Sequence, residues 1–149
     1  MNPCNLVHYY RKNREGINFP SRKRKKIEYL PWCTDEEFFC NNNKTDRKYF
    51  FSSGKTNRDY KTLIRAWKNE FPLLKIITNH KLVSNKKNIE IIKGDWAKEI
   101  LSDQTIRSLI RDCLFVILPI SDTIQPSGQS VALQSMSCAK TVLINDFRG

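Results

Sequence analysis

From Lys48 onward, apolar and polar positions alternate between two rhythms. "KYFFSS" is a short apolar run that ends at Gly54, which predicts a strand. Tyr60, Leu63, Ile64, Trp67 and Phe71 follow at the i, i+3, i+4, i+7 spacing of one helix face, with Asn57 as the expected N-cap and Pro72 as the expected stop. "LLKIIT" and "NIEIIKG" predict a second and a third strand. Asp103 is placed to cap a helix whose buried stripe is Ile106, Leu109, Ile110 and Cys113. "CLFVILP" is apolar on both faces, as a central parallel strand should be. A helix over Gly128 to Ala139 and a last strand "TVLIN" complete the series. Strands and helices in this order predict an α/β domain with a mainly parallel sheet flanked by helices.

Before Lys48 the pattern is poorer. Asn5 to Arg14 could form a helix, Gly16 to Lys26 reads as loop, and Ile27 to Trp32 reads as extended chain, because Pro31 biases Leu30 away from helix. "TDEEFF" gives a turn of helix at most. The division expected is an N-terminal segment and basic linker over 1–30, then one α/β domain over 31–149.

At 149 residues the chain suits one domain with a real core, and 40% hydrophobic content with 11% aromatics excludes general disorder. The formal charge of +11 narrows the partners to nucleic acid, a membrane surface or a phosphorylated ligand. Arg22 to Lys26 are all basic, but no aromatic residues interleave them for base stacking, so nucleic acid is the weaker reading. Five cysteines without a C-x-x-C pair fit neither a zinc site nor a disulfide framework and suggest a reducing, cytoplasmic setting. His8 and His80 lack a metal-ligand spacing, and no stretch is long enough to span a bilayer. Peripheral membrane contact stays open.

Two candidate strand ends carry polar loops that feed helices, where ligands bind in parallel α/β sheets. The first holds Gly54-Lys55-Thr56, which looks like the end of a P-loop. That pattern needs another glycine five residues earlier, and Tyr49 stands there. Gly54 with Lys55 and Arg58 before a helix still suits an anion, although a tight turn with solvated basic residues explains the stretch equally well. The other loop is Pro119 to Ser130. Gly128 opens a helix on which Ser130 and Gln134 share one polar flank.

Three stretches together resemble a known family. "YLPWCTDEEFF" is similar to the inter-domain linker of group 1 (family-4-like) glycosyltransferases. "FFSSGKTNRDYKTLIRAW" is similar to the first strand, glycine loop and helix of their C-terminal domain. "LFVILPISDTIQPSGQSVALQSMSCAKTVLINDFRG" resembles their signature strand, acidic loop, glycine and Glu-bearing helix. The match runs from about Ile27 to Gly149. It implies a Rossmann-like domain corresponding to the C-terminal half of a GT-B fold, and hexosyltransferase-type transfer from a nucleotide-sugar donor without an essential metal or other cofactor. By resemblance, Gly54, Lys55, Arg58, Gly128, Gln129 and Ser130 fall at the donor phosphates and Gln134 at the ribose; no catalytic acid or base is assigned. Gln134 stands where the family has Glu, and Ala139-Lys140-Thr141 where it has Gly-Lys-Pro, which leaves the donor open. The acceptor, whether glycan, lipid or small molecule, is also open. An N-terminal acceptor domain and the closing elements have no counterpart, so the expectation is a fragment or split reading frame, inactive alone. The alternatives are a basic nucleic-acid-binding module and a non-catalytic remnant.

Overall fold

A computed structural model describes residues 31–41, 49–94 and 101–146. The chain divides into two compact units, Met1–Cys33 and Thr34–Gly149. Of the first, only Pro31 to Cys33 lie within the described residues, and they have no regular secondary structure. The expected helix over 5–14 and the basic run Arg22–Lys26 fall outside them.

The second unit contains β1 (Tyr49–Ser53), α1 (Tyr60–Ala66), β2 (Leu73–Thr78), β3 (Ile89–Lys93), α2 (Asp103–Asp112), β4 (Phe115–Leu118), α3 (Gln129–Ser137) and β5 (Thr141–Ile144). The strands form one sheet in the order β3-β2-β1-β4-β5, and every pairing is parallel. This is a Rossmann-like α/β fold: strand order reverses between β1 and β4, and the crevice at their carboxyl ends is the switch point at which such sheets bind ligands.

Alternation along each strand divides the apolar residues between two layers. Tyr49, Phe51, Ile77, Val116 and Leu118 pack with Ile106 and Ile110 of α2 and with the flank of α3 that carries Val131 and Ala132. Leu74 and Ile76 pack with Tyr60 of α1 and with Trp67 just past its end, joined by Phe50 and Ile117. Leu74, Ile76, Ile77, Val116 and Leu118 are wholly excluded from solvent; cutting one to Ala removes about 2–5 kcal/mol. The end of the segment expected to be linker joins the first layer: Asp35 closes a turn by accepting from the Phe38 amide, and Phe39 is buried.

Three helix ends differ from the sequence expectation. The N-cap of α1 is Asp59, which accepts from the Thr62 amide at 3.1 Å; Asn57 instead sits at φ 50 in the preceding loop. The helix also stops at Ala66, well short of Pro72. Lys86, from the loop before β3, donates its ammonium protons to the carbonyls of Ile64, Arg65 and Trp67. Asn88 donates to those of Lys68 and Phe71. A cation on the carbonyl end satisfies groups the helix leaves open and suits its dipole. In α2 the cap is Ser102, and Asp103 is the first helical residue.

On the α1 face, a groove of about 400 Å³ runs between α1 and β4–β5. It is mostly apolar, and Leu143 and Ile144 are exposed in it. No described helix is long and apolar enough to cross a membrane.

Candidate anion site

The carboxyl ends of β1 and β4 each release a loop, and the two loops are stitched together. The Asp59 amide donates to Pro119 O at 2.8 Å and the Ser121 amide to Asn57 O at 3.0 Å. These bonds make an isolated antiparallel bridge between Arg58 and Ile120. Asn145, just past β5, fixes the same segment: its Oδ1 accepts from the Ile120 amide at 2.7 Å, and its Nδ2 donates to Ile120 O at 2.8 Å. Asn57 reaches across to Gln125 at 3.3 Å.

Below the loops the strand ends turn polar. Ser52, Ser53 and Thr78 are buried, and the Ser52 hydroxyl donates to Ile117 O. Tyr60 is buried beside them, and its hydroxyl donates to Gly54 O at 2.9 Å. Burial in this setting pushes the Tyr60 phenol up to about 12.

Arg58 lies across the crevice and is only 9% exposed. Its Nε donates to Ser53 O at 3.3 Å, and its Nη1 donates to Thr56 O at 2.8 Å and to Ser127 Oγ at 2.9 Å. Nη2 makes none of these bonds. It passes between the two loop glycines: a Cβ on Gly54 would stand 2.7 Å from Nη2, and one on Gly128 3.5 Å away. Gly54 (φ 125) and Gly128 (φ 91) also occupy backbone conformations that side chains disfavour, so both positions need glycine for conformation, and Gly54 also for space. Burial lowers the pKa of Arg58 from its ordinary value, but an arginine keeps its charge at neutral pH.

The cleft above this guanidinium has a volume of about 300 Å³. Gly54, Lys55, Thr56 and Arg58 line it from one loop; Ser127, Gly128, Gln129, Ser130, Val131 and Gln134 line it from the other. Every residue that the sequence suggested for phosphate or ribose therefore borders a single space. Lys55 is exposed there. Gly128 is the N-cap of α3 and has no side chain to cap the first turn of that helix, whose N-terminus carries the positive end of its dipole. A charged guanidinium edge, a lysine and the positive end of a nine-residue helix have the chemistry of a candidate site for an anion.

The two helix starts are not equivalent, contrary to the sequence reading. α1 has seven residues, begins beyond Arg58, and is capped by the Asp59 carboxylate. Hydrogen bonds from Thr62 hold that carboxyl below its usual range, so a negative charge stands at the N-terminus of α1. The N-cap of α3, by contrast, is a glycine that makes no side-chain cap bond. Sequence reasoning also missed Ser127 and Asn145. Ser127 had a weak signal, since it directly precedes the helix-opening glycine; Asn145 had none, because it stands at the end of an ordinary apolar strand.

Cys113 and Cys138 stay outside this chemistry. Burial pushes the Cys113 thiol up to about 12 and also raises that of Cys138, so both remain protonated. Among the described residues no three His, Cys, Asp or Glu side chains gather where they could hold a metal ion. Comparison with protein-family descriptions and with curated proteins finds no match to this chain.

Proposed function

We propose that this chain forms the donor side of a glycosyltransferase that resembles the group 1 GT-B enzymes, with the cleft holding the diphosphate of a nucleotide sugar. The observation that carries the reading is convergence. Gly54, Lys55, Arg58, Gly128, Gln129, Ser130 and Gln134, drawn from two loops far apart in sequence, border one cleft at the switch point of the sheet. In sugar transfer, negative charge grows on the departing nucleoside diphosphate. Fixed cations and helix amides aimed at that charge lower the barrier without having to reorganise. Lys55, the Nη2 edge of Arg58 and the α3 amides have that character. Gln134, one turn into α3, is placed for a ribose hydroxyl; as an amide it can both donate and accept.

Transfer also requires an acceptor held in reactive geometry, which contributes a large part of the rate. On this reading the described cleft is the donor side of the transfer. Calorimetric titration with uridine and guanosine diphosphates tests the reading: one of the two binds at a single site, and Lys55→Met weakens it. Absence of binding by either nucleotide would defeat the proposal. The charge of +11 favours a second reading, a nucleic-acid-binding module. It predicts affinity for oligonucleotides that falls steeply with salt and is indifferent to nucleoside diphosphates.

A further inference from the structure

We infer that Ser127 is a positioning residue: its hydroxyl aims Arg58 at the anion and thereby makes the two loops act as one site. Ser127 is 8% exposed and Arg58 9%, and the two are 69 positions apart in sequence. The Ser127 hydroxyl has one proton, which it donates to Thr56 O at 2.9 Å. Its lone pairs are thus left to accept from Arg58 Nη1. Thr56 O also accepts from the same Nη1. Hydroxyl, carbonyl and guanidinium close a three-membered ring of bonds across the two loops.

The ring has a directional consequence. A guanidinium is planar, so fixing Nε and Nη1 fixes the plane and with it the two N–H vectors of Nη2. Ser53 O at the end of β1 and Thr56 O in the loop after it give two of the three bonds made by Nε and Nη1, and the Tyr60 hydroxyl lies against the same guanidinium from the same side of the cleft. Only Ser127 ties the plane to the second loop, where the α3 amides lie. An oxyanion that meets Nη2 and those amides together needs the relative placement that this hydroxyl sets. The matching ligand group is a compact, multiply charged oxyanion such as a diphosphate, because it can accept from both sides at once.

This inference rests on the anion-binding reading of the cleft, and the experiment separates the two. The full chain is titrated calorimetrically with inorganic pyrophosphate as wild type, Ser127→Ala, Ser127→Val and Ser127→Thr. In parallel, the arginine side-chain nitrogen resonances of the ligand-free proteins are recorded. Loosening the guanidinium plane should weaken pyrophosphate binding about five- to tenfold in the Ala and Val forms, less than the loss of a charged bond made to the ligand itself, while Thr, which retains the hydroxyl, stays within about twofold of wild type. Without ligand, Arg58 should show separate, slowly exchanging Nη1 and Nη2 signals in wild type and the Thr form, and averaged signals in the Ala and Val forms. Since Val matches Thr in shape, a loss shared by Val and Ala but not Thr reports the hydroxyl and not packing. Wild-type affinity in the Ala form, or a Thr form as weak as Val, would overturn the positioning role and leave the anion site standing. A wild type that ignores pyrophosphate would overturn both the site and the ligand role given to Ser127; the arginine spectra would then still report whether Ser127 holds Arg58.

Discussion

The loop after β1 and the loop after β4 border the same cleft but supply different things. The first brings side-chain charge, Lys55 and Arg58, while the helix it feeds is closed to anions by the Asp59 carboxylate. The second brings no cation. It contributes Gly128, the N-terminal end of α3 and the Ser127 hydroxyl. Side-chain charge and a fixed dipole are thus supplied by separate segments, and Arg58, bonded to both, holds them in register. The strand ends alone do not make the site. It depends on the bridge between Arg58 and Ile120 and on Asn145, which locks Ile120 in place.

Breaking the register should have the largest effect. Arg58→Met leaves Ser53 O and Thr56 O without this donor and Ser127 Oγ without its cation, the bonds to Ser53 and Ser127 being buried ones. A stability loss of about 3 kcal/mol is expected for disrupting such a buried network, read as a fall in the urea midpoint, together with loss of diphosphate binding. An unchanged midpoint would mean that the guanidinium does not hold the loops.

Removing charge from the exposed side of the first loop should spare the fold. Lys55→Met is expected to weaken nucleoside diphosphate binding by about 1.5–3 kcal/mol, the range for a charged hydrogen bond, with the urea midpoint unchanged. Equal affinity for the two proteins would take Lys55 out of the site and leave the second loop as the main source of attraction.

The floor under the first loop has its own signature. The Tyr60 hydroxyl bonds Gly54 O, and its phenol ionises near 12 in the folded chain, against about 10 when unfolded. The unfolded chain therefore loses this proton first. The stabilisation associated with the neutral phenol is complete below about pH 10 and declines as pH rises from about 10 to about 12. Tyr60→Phe should cost about 1 kcal/mol at neutral pH for the lost bond. It should also flatten the fall in stability over that alkaline window, leaving the share due to Cys113. Parallel pH profiles for the two proteins would contradict the burial of this hydroxyl.

The smallest effect lies at the far end of α3. Ala139 adopts φ 55, and the Lys140 amide closes the helix onto Ser135 O at 2.9 Å. Glycine suits this left-handed position better than alanine, so Ala139→Gly should raise stability by about 0.5–1 kcal/mol without altering ligand affinity. A lower melting temperature would count against the assigned conformation.

The series of strands and helices was legible because the apolar spacing of each element matches the layer it packs into, from Tyr60–Trp67 on one face to Ile106–Ile110 on the other. Helix ends were less legible. Pro72 has the character of a stop for α1, but Lys86 and Asn88, about twenty positions downstream, hold the end several residues earlier. Asn57 has the character of a cap because Asn suits caps, yet its tolerance of positive φ places it in the loop, where its carbonyl meets Ser121. The parts of the cleft were recognisable one by one from glycine, basic and polar positions. The arrangement of Arg58 was not, because its partner Ser127 is remote in sequence and a serine beside a glycine reads as ordinary turn chemistry.

Whether the two loops form one diphosphate site is read most directly from backbone amide resonances of the chain during titration with uridine diphosphate. The amides of Gly54, Lys55, Gln129, Ser130 and Val131 are predicted to shift together along one saturating curve, with the first turn of α1 unmoved. Shifts confined to the lysine-bearing segment Lys81–Lys87, or to only one of the two loops, would contradict a shared site.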